Sequence, residues 1–161
     1  MTRARYFAPA VLVLTCMFTP ALGQGQEAPG LDQAMRHFAN NVAAYRAQGP
    51  PRHAKAGEVF TEDVGRAFRD RITRLVHQGG IRPSDLRNEI DDETAAAAEK
   101  RLVVNGHFEW RYGSSMPPEV LDVLPPLPRG LEYRFVRHSL VLVDIDADLV
   151  VDILHDAVPR H

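Results

Sequence analysis

The sequence predicts an α+β fold, with N-terminal amphipathic helices packed on a small C-terminal antiparallel β-sheet. Three observations carry this. Leu131 to Ala157 is the most apolar stretch after the N-terminal segment, and turn-like points divide it into three short strands. The chain before residue 101 spaces its apolar residues at helical intervals. Between the two lies Leu124-Pro125-Pro126-Leu127-Pro128-Arg129-Gly130, a stiff proline-rich lead into the sheet.

Residues 1–23 read as a secretory signal. Arg3 and Arg5 form a basic start, Ala8 to Phe18 is an apolar run too short to span a bilayer comfortably, and Ala21-Leu22-Gly23 is a small-x-small cleavage pattern. Cleavage is expected near Gly23/Gln24, placing the protein in the periplasm or outside the cell; a short N-terminal anchor is the alternative. Cys16, the single cysteine, sits inside this signal, and a lipid-modified Cys16 is a second option, with Thr15 where a small residue is preferred. The mature chain then has no disulfide, no thiol nucleophile and no cysteine-based zinc site. Removing Arg3 and Arg5 leaves 17 Lys plus Arg against 21 Asp plus Glu, a net charge of about −4. With no basic block, nucleic acid is not an expected partner, and no later stretch is long enough for a membrane span.

Residues 24–30 form a polar lead-in, expected to be disordered, and 31–161 a single α+β domain, helical over 31–101 and β-rich over 102–157. Leu31, Met35, Phe38, Val42 and Tyr45 make one stripe on a first helix, stopped by Gly49-Pro50-Pro51. After a loop from Arg52 to Phe60, Thr61 reads as the N-cap of a second helix running to about His77, with Glu62 and Asp63 at its positive end and Gly79-Gly80 as its exit. Its apolar face is Val64, Ala67, Phe68, Ile72, Leu75 and Val76. Arg66, Arg69, Arg71 and Arg74 could bind phosphate, but the interspersed Asp63 and Asp70 favour an ordinary solvated face. Pro83-Ser84 opens a short helix carrying Leu86 and Ile90. Asp91 to Lys100 has good helix propensity but no apolar stripe.

Asn105-Gly106 predicts a two-residue hairpin turn, pairing Val103 with Phe108 and Arg101 with Trp110. Met116 to Val123 reads as a loop and one helical turn with an early proline. In the last sheet, with Asp146-Ala147-Asp148 as the turn, Val141, Val143 and Ile145 oppose Ile153, Val151 and Leu149 on a face buried under the N-terminal helices. Leu142, Asp144, Asp152 and Leu154 then lie on a half-wet face. The other turn falls at His138-Ser139. Tyr133 and Phe135, on the exposed side of this sheet, are the candidate partner-binding residues.

Chemistry-bearing motifs are sparse. Asp144-x-Asp146-x-Asp148 suggests calcium, but an EF-hand loop needs glycine at Leu149 and glutamate at His155, so an Asp-rich turn is the favoured reading. None of the seven histidines forms a ligand-spaced pair. The candidate metal ligands are therefore His138 and His155, both near strand ends, with Asp144 and Asp146. No serine lies in a nucleophile motif, and no phosphate-binding glycine loop is present. No cofactor is expected. Pro125-Pro126-Leu127-Pro128-Arg129 resembles a ligand for aromatic grooves, although a stiff linker is the favoured reading.

Met116-Pro117-Pro118, the proline segment, Leu131 to Val136, Leu140 to Asp144 and Val150 to Leu154 together resemble the ending of a family of small uncharacterised exported bacterial proteins. A looser similarity is to periplasmic proteins of the nickel/cobalt homeostasis type, where a comparable strand-turn-strand closes a small β domain. Family members often have glycine where Arg137 stands here. The resemblance covers about the last 45 residues and implies a fold, with no catalytic residue carried over. The leading expectation is a non-enzymatic periplasmic binding or accessory protein with an envelope protein partner. A metal-responsive accessory protein, and a hydrolase whose site is assembled from distant residues, are the alternatives.

Overall fold

The computed structural model describes residues 29–86 and 90–160. The predicted signal and the lead-in up to residue 28 lie outside the described residues. Pro29 and Gly30, assigned to the lead-in, instead open the first helix. The elements are α1 (Pro29–Ala47), α2 (Glu62–His77), α3 (Asp92–Arg101), α4 (Pro118–Val123), β1 (Leu131–Val136), β2 (Ser139–Asp144) and β3 (Leu149–Leu154), with short 3-10 turns at Pro83–Leu86 and Trp110–Tyr112. This is an α+β protein with a three-stranded antiparallel sheet in the order β1-β2-β3. Among the described residues no helix is long and apolar enough to cross a membrane.

The two long helices form where their apolar spacing places them. α1 buries Leu31, Ala34, Phe38, Val42 and Tyr45, and Met35 packs partly buried beside them. α2 buries Val64, Ala67, Phe68 and Ile72. Its Thr61 stands at the N-cap, but the hydroxyl donates to Asp63 instead of accepting from the helix. Gly65 lets α2 lie close to β3, since a Cβ there would stand 2.8 Å from Leu154 Cδ1. Phe38, Phe60, Phe68 and Tyr133 meet as a ring cluster, with the closest centroids 4.9 Å apart for Phe38 and Phe68. Each such pair contributes roughly 0.5–1.5 kcal/mol beyond its buried area.

Several expectations for the sheet are corrected. Val141 opposes Ile153 as predicted, but Val143 opposes Val150 and Asp144 opposes Leu149, with a register shift between Leu142 and Val143. The added residue on β3, Val151, removes Ile145 from the ladder and leaves it 39% exposed. The first turn is Arg137-His138, with Arg137 at φ +56°, and Ser139 already belongs to β2.

The face expected to be half wet is buried as well. The long helices cover Leu131, Tyr133, Phe135, Leu140, Leu142 and Leu154, the side expected to be half wet, and with them Val151, which was expected on the buried face. Val136, Val141, Val143 and Val150 lie on the opposite side, under Ala98 of α3 and Phe108. Both faces of β2 are therefore buried. α3 docks with alanines, Ala95 and Ala98, whose small side chains allow close approach. Asp91 caps it by accepting from the Thr94 amide at 2.8 Å.

The Asn105-Gly106 turn exists, with Asn105 at φ +63°, but it closes no hairpin. Val103 is 60% exposed and Phe108 is buried, so the two do not pair. The turn instead docks on the outer edge of β3: the Asn105 amide donates to the Val150 carbonyl and the Val150 amide to the Gly106 carbonyl. An open strand edge is a stronger claim on these groups than a pairing with no apolar partner for Val103. Arg101 lies over Tyr112, not Trp110, and Trp110 receives Arg134 at 5.2 Å instead.

Candidate functional site

The residues singled out in the sequence are placed as follows. Tyr133 and Phe135 are 4% and 0% exposed. They belong to the core because their face of the sheet is the one the long helices cover, so neither side chain presents a surface to a partner. Asp144 is fully buried: its carboxylate accepts from Arg52 Nη1 at 2.8 Å, Tyr45 Oη at 3.0 Å and the Ala147 amide at 3.1 Å. Burial, then the bond to Asp144, push the Tyr45 phenol up to about 12. Asp146 is exposed, 3.7 Å from Arg46. His138 is buried, and its carbonyl accepts the Ala157 and Val158 amides. His155 lies at the surface, with Nδ1 3.1 Å from Ser139 Oγ. Among the described residues no three His, Cys, Asp or Glu side chains come together as a metal-holding group.

Ser139 and His155 are a serine and a histidine in contact, brought together because they face each other just beyond the Leu140–Leu154 pair. The carboxylate present, Glu99, holds the serine instead of the histidine: Ser139 Oγ donates to Glu99 Oε1 at 2.7 Å. Acyl-transfer triads order these groups as serine, histidine, acid, so that the ring removes the serine proton. Here that proton is committed to Glu99 and the hydroxyl is buried. Glu99 also accepts from the His138 amide at 3.2 Å and from Arg137 Nη1 at 3.4 Å. Its role is to fasten α3 to the β1–β2 turn.

Asp152 is the second buried carboxylate that reads as wet in sequence. It accepts from the Gly57, Val59, Phe60 and Ile153 amides at 2.8–2.9 Å. Asn105 adds a two-way bond to Ala54, at 2.9 Å from the Ala54 amide and 2.8 Å to its carbonyl. Together with Arg52–Asp144, these contacts fix the loop between α1 and α2. Nothing in the local spacing of Asp144 or Asp152 indicates donors 92 to 99 residues away.

The surface feature that remains is a groove of about 490 Å³ along β1, within the usual roughly 300–1,000 Å³ of small-ligand sites. One wall is the strand itself, Leu131 to Arg134; the other is Ser115, Met116, Leu121 and Pro125 to Leu127. The prolines are rigid, and Tyr133 Oη donates to the Pro125 carbonyl at 3.0 Å, binding that wall to the sheet. Burial raises the Tyr133 phenol well above its ordinary range. Arg71 holds the end of α4 through the Val123 carbonyl at 2.6 Å. Leu121, 50% exposed, stands at the mouth. A larger hollow between α1 and α2 begins at Gly30, at the border of the described residues.

Along this groove β1 is the edge of the sheet, and no further strand pairs with it among the described residues. The Ser114 amide donates to the Phe135 carbonyl at 2.9 Å from outside the sheet. Main-chain groups alternate sides along a strand, so Tyr133 and Leu131 also point theirs outward. The Leu131 amide turns back to the Pro128 carbonyl at 3.3 Å. The Tyr133 amide and carbonyl have no partner among the described residues. The segment that covers Phe135 leaves the edge at once, because Pro117 caps α4 and neither Pro117 nor Pro118 has an N–H to donate.

Comparison with known protein families, with characterised proteins and with solved structures gives no match to this chain.

Proposed function

We propose that this protein is a non-enzymatic binding domain of the cell envelope, exported by its N-terminal signal and acting as an accessory to another envelope protein. The observation that carries the reading is the rigid apolar groove along the outer edge of β1. The buried serine and carboxylates support it too, since each has a structural task in holding α3 or the α1–α2 loop. The resemblance of the last 45 residues to exported bacterial proteins agrees with the signal. The test is site-specific photo-crosslinking in cells, with the crosslinker at Leu121 on the groove or at exposed Val103 outside it. The expected result is one envelope protein captured from Leu121 and not from Val103, with the chain in the periplasmic or extracellular fraction. Equal capture from both positions, capture from neither, or a cytoplasmic location would overturn the reading.

A further inference from the structure

We infer that the groove takes an extended, uncharged apolar peptide segment, which adds a short strand to the outer edge of β1 at Tyr133. This rests on the groove being the binding surface, and it names the occupant.

Three features define the chemistry. The first is the main chain of Tyr133, whose N–H and C=O face the outer edge of β1, two residues from the Phe135 carbonyl that receives Ser114, and have no partner among the described residues. An extended backbone supplies the complementary acceptor and donor at the right spacing; a compact ligand or a helix, whose backbone groups are already used, does not. The second is the site's continuity with pairing that already exists. Ser114 forms an antiparallel bridge with Phe135 on this same edge, so the edge accepts an extended segment in the fold itself, and the next outward position, Tyr133, is left open where the chain turns into α4. The third is charge. The charged residues among those lining the groove are Glu132 and Arg134, and they are paired with each other. The lining is therefore neutral, and a charged segment would give up its hydration with nothing to receive it. Apolar side chains at alternate positions would reach Leu121, Met116 and Leu127, because side chains alternate sides along a strand.

The rigid wall favours this mode. The proline segment has little freedom to lose, and the Tyr133–Pro125 bond holds the slot at a fixed width.

The experiment is selection of a displayed random heptapeptide library on the mature chain, with Leu121→Asp as counter-target. Leu121 is half exposed on α4, so this variant alters the groove without burying a charge. The expected outcome is a consensus of uncharged residues with apolar side chains at alternate positions. As a synthetic peptide it should slow hydrogen exchange of the Tyr133 amide, and it should weaken by roughly tenfold or more when its backbone is N-methylated at alternate residues. Peptides that bind in the groove but tolerate N-methylation, or that leave the Tyr133 amide unprotected, would overturn strand addition while keeping the groove as a binding surface. No peptide enriched over the Leu121→Asp counter-target would overturn both.

Discussion

Asp152→Asn tests the most heavily used polar group in the fold. The carboxylate receives four amides, three of them from the loop before α2: Gly57 on one oxygen, Val59 and Phe60 on the other, with Ile153 sharing the first. Asparagine keeps the shape but replaces one oxygen with an NH2 group, so two of these donors face another donor. A hydrogen bond to a charged group contributes about 1.5–3 kcal/mol, which puts the loss at roughly 3–6 kcal/mol. Whole domains are stable by only about 5–15 kcal/mol, so this is a large fraction of the total. With a urea dependence of roughly 2 kcal/mol per molar, the unfolding midpoint should fall by about 1.5–3 M. Hydrogen exchange locates the effect: the Gly57, Val59 and Phe60 amides should lose protection first. If the variant loses less than about 1 kcal/mol and these amides stay protected, the loop is held by Arg52–Asp144 and Asn105–Ala54, and the weight assigned to Asp152 is wrong.

Glu99→Ala removes the acceptor for Ser139, the His138 amide and Arg137, and should cost roughly 2–4 kcal/mol in a thermal or urea melt, with α3 amides exchanging faster than those of α1. Tyr45→Phe deletes the hydroxyl bonded to Asp144 and should cost about 1–3 kcal/mol at neutral pH. Because burial and Asp144 raise the folded phenol from 10.0 to about 12, this stabilisation is complete below pH 10 and is lost as pH rises through about 12, so wild type and variant should converge in melts across that window. Asp63 behaves in the opposite sense. The Thr61 hydroxyl, and after it His37, lower its carboxyl from 3.8 to about 2, so its contribution is present above pH 3.8 and disappears as pH falls through about 2. Acid titration followed by NMR should show the Asp63 midpoint rising more in Thr61→Ala than in His37→Ala.

The helices were legible in sequence because their burial is one-sided. Leu31, Phe38, Val42 and Tyr45 repeat at helical spacing, and the same residues are buried in α1. The strands were legible too, but their facing was not. Leu140 to Val143 is an unbroken apolar run, which alternation cannot orient. Such a run requires cover on both sides, and the second cover, α3, docks through alanines and a glutamate that leave no stripe in the sequence. Asp144 and Asp152 read as wet because carboxylates usually are; most of their donors come from Tyr45 to Phe60, beyond the reach of any local pattern. Tyr133 and Phe135 read as exposed for the same reason, since their face is covered as fully as the other. The groove beside them leaves no mark in the sequence, because it is defined by a main-chain N–H and C=O without a partner among the described residues, and these belong to no side chain.

The fastening of the α1–α2 loop has a consequence for how the protein comes into being. Its anchors join Ala54 to a residue 51 positions later, and Arg52 and Gly57 to residues 92 and 95 positions later. Closing loops of that span before any contact rewards the closure is slow. A chain delivered from its N-terminus cannot settle this early loop until its final strand has arrived, because the acceptor is Asp152 on that strand. Ordering of this loop is thereby deferred until Asp152 has emerged, and a chain cut short before Leu149 would lose the order of a segment almost a hundred residues upstream.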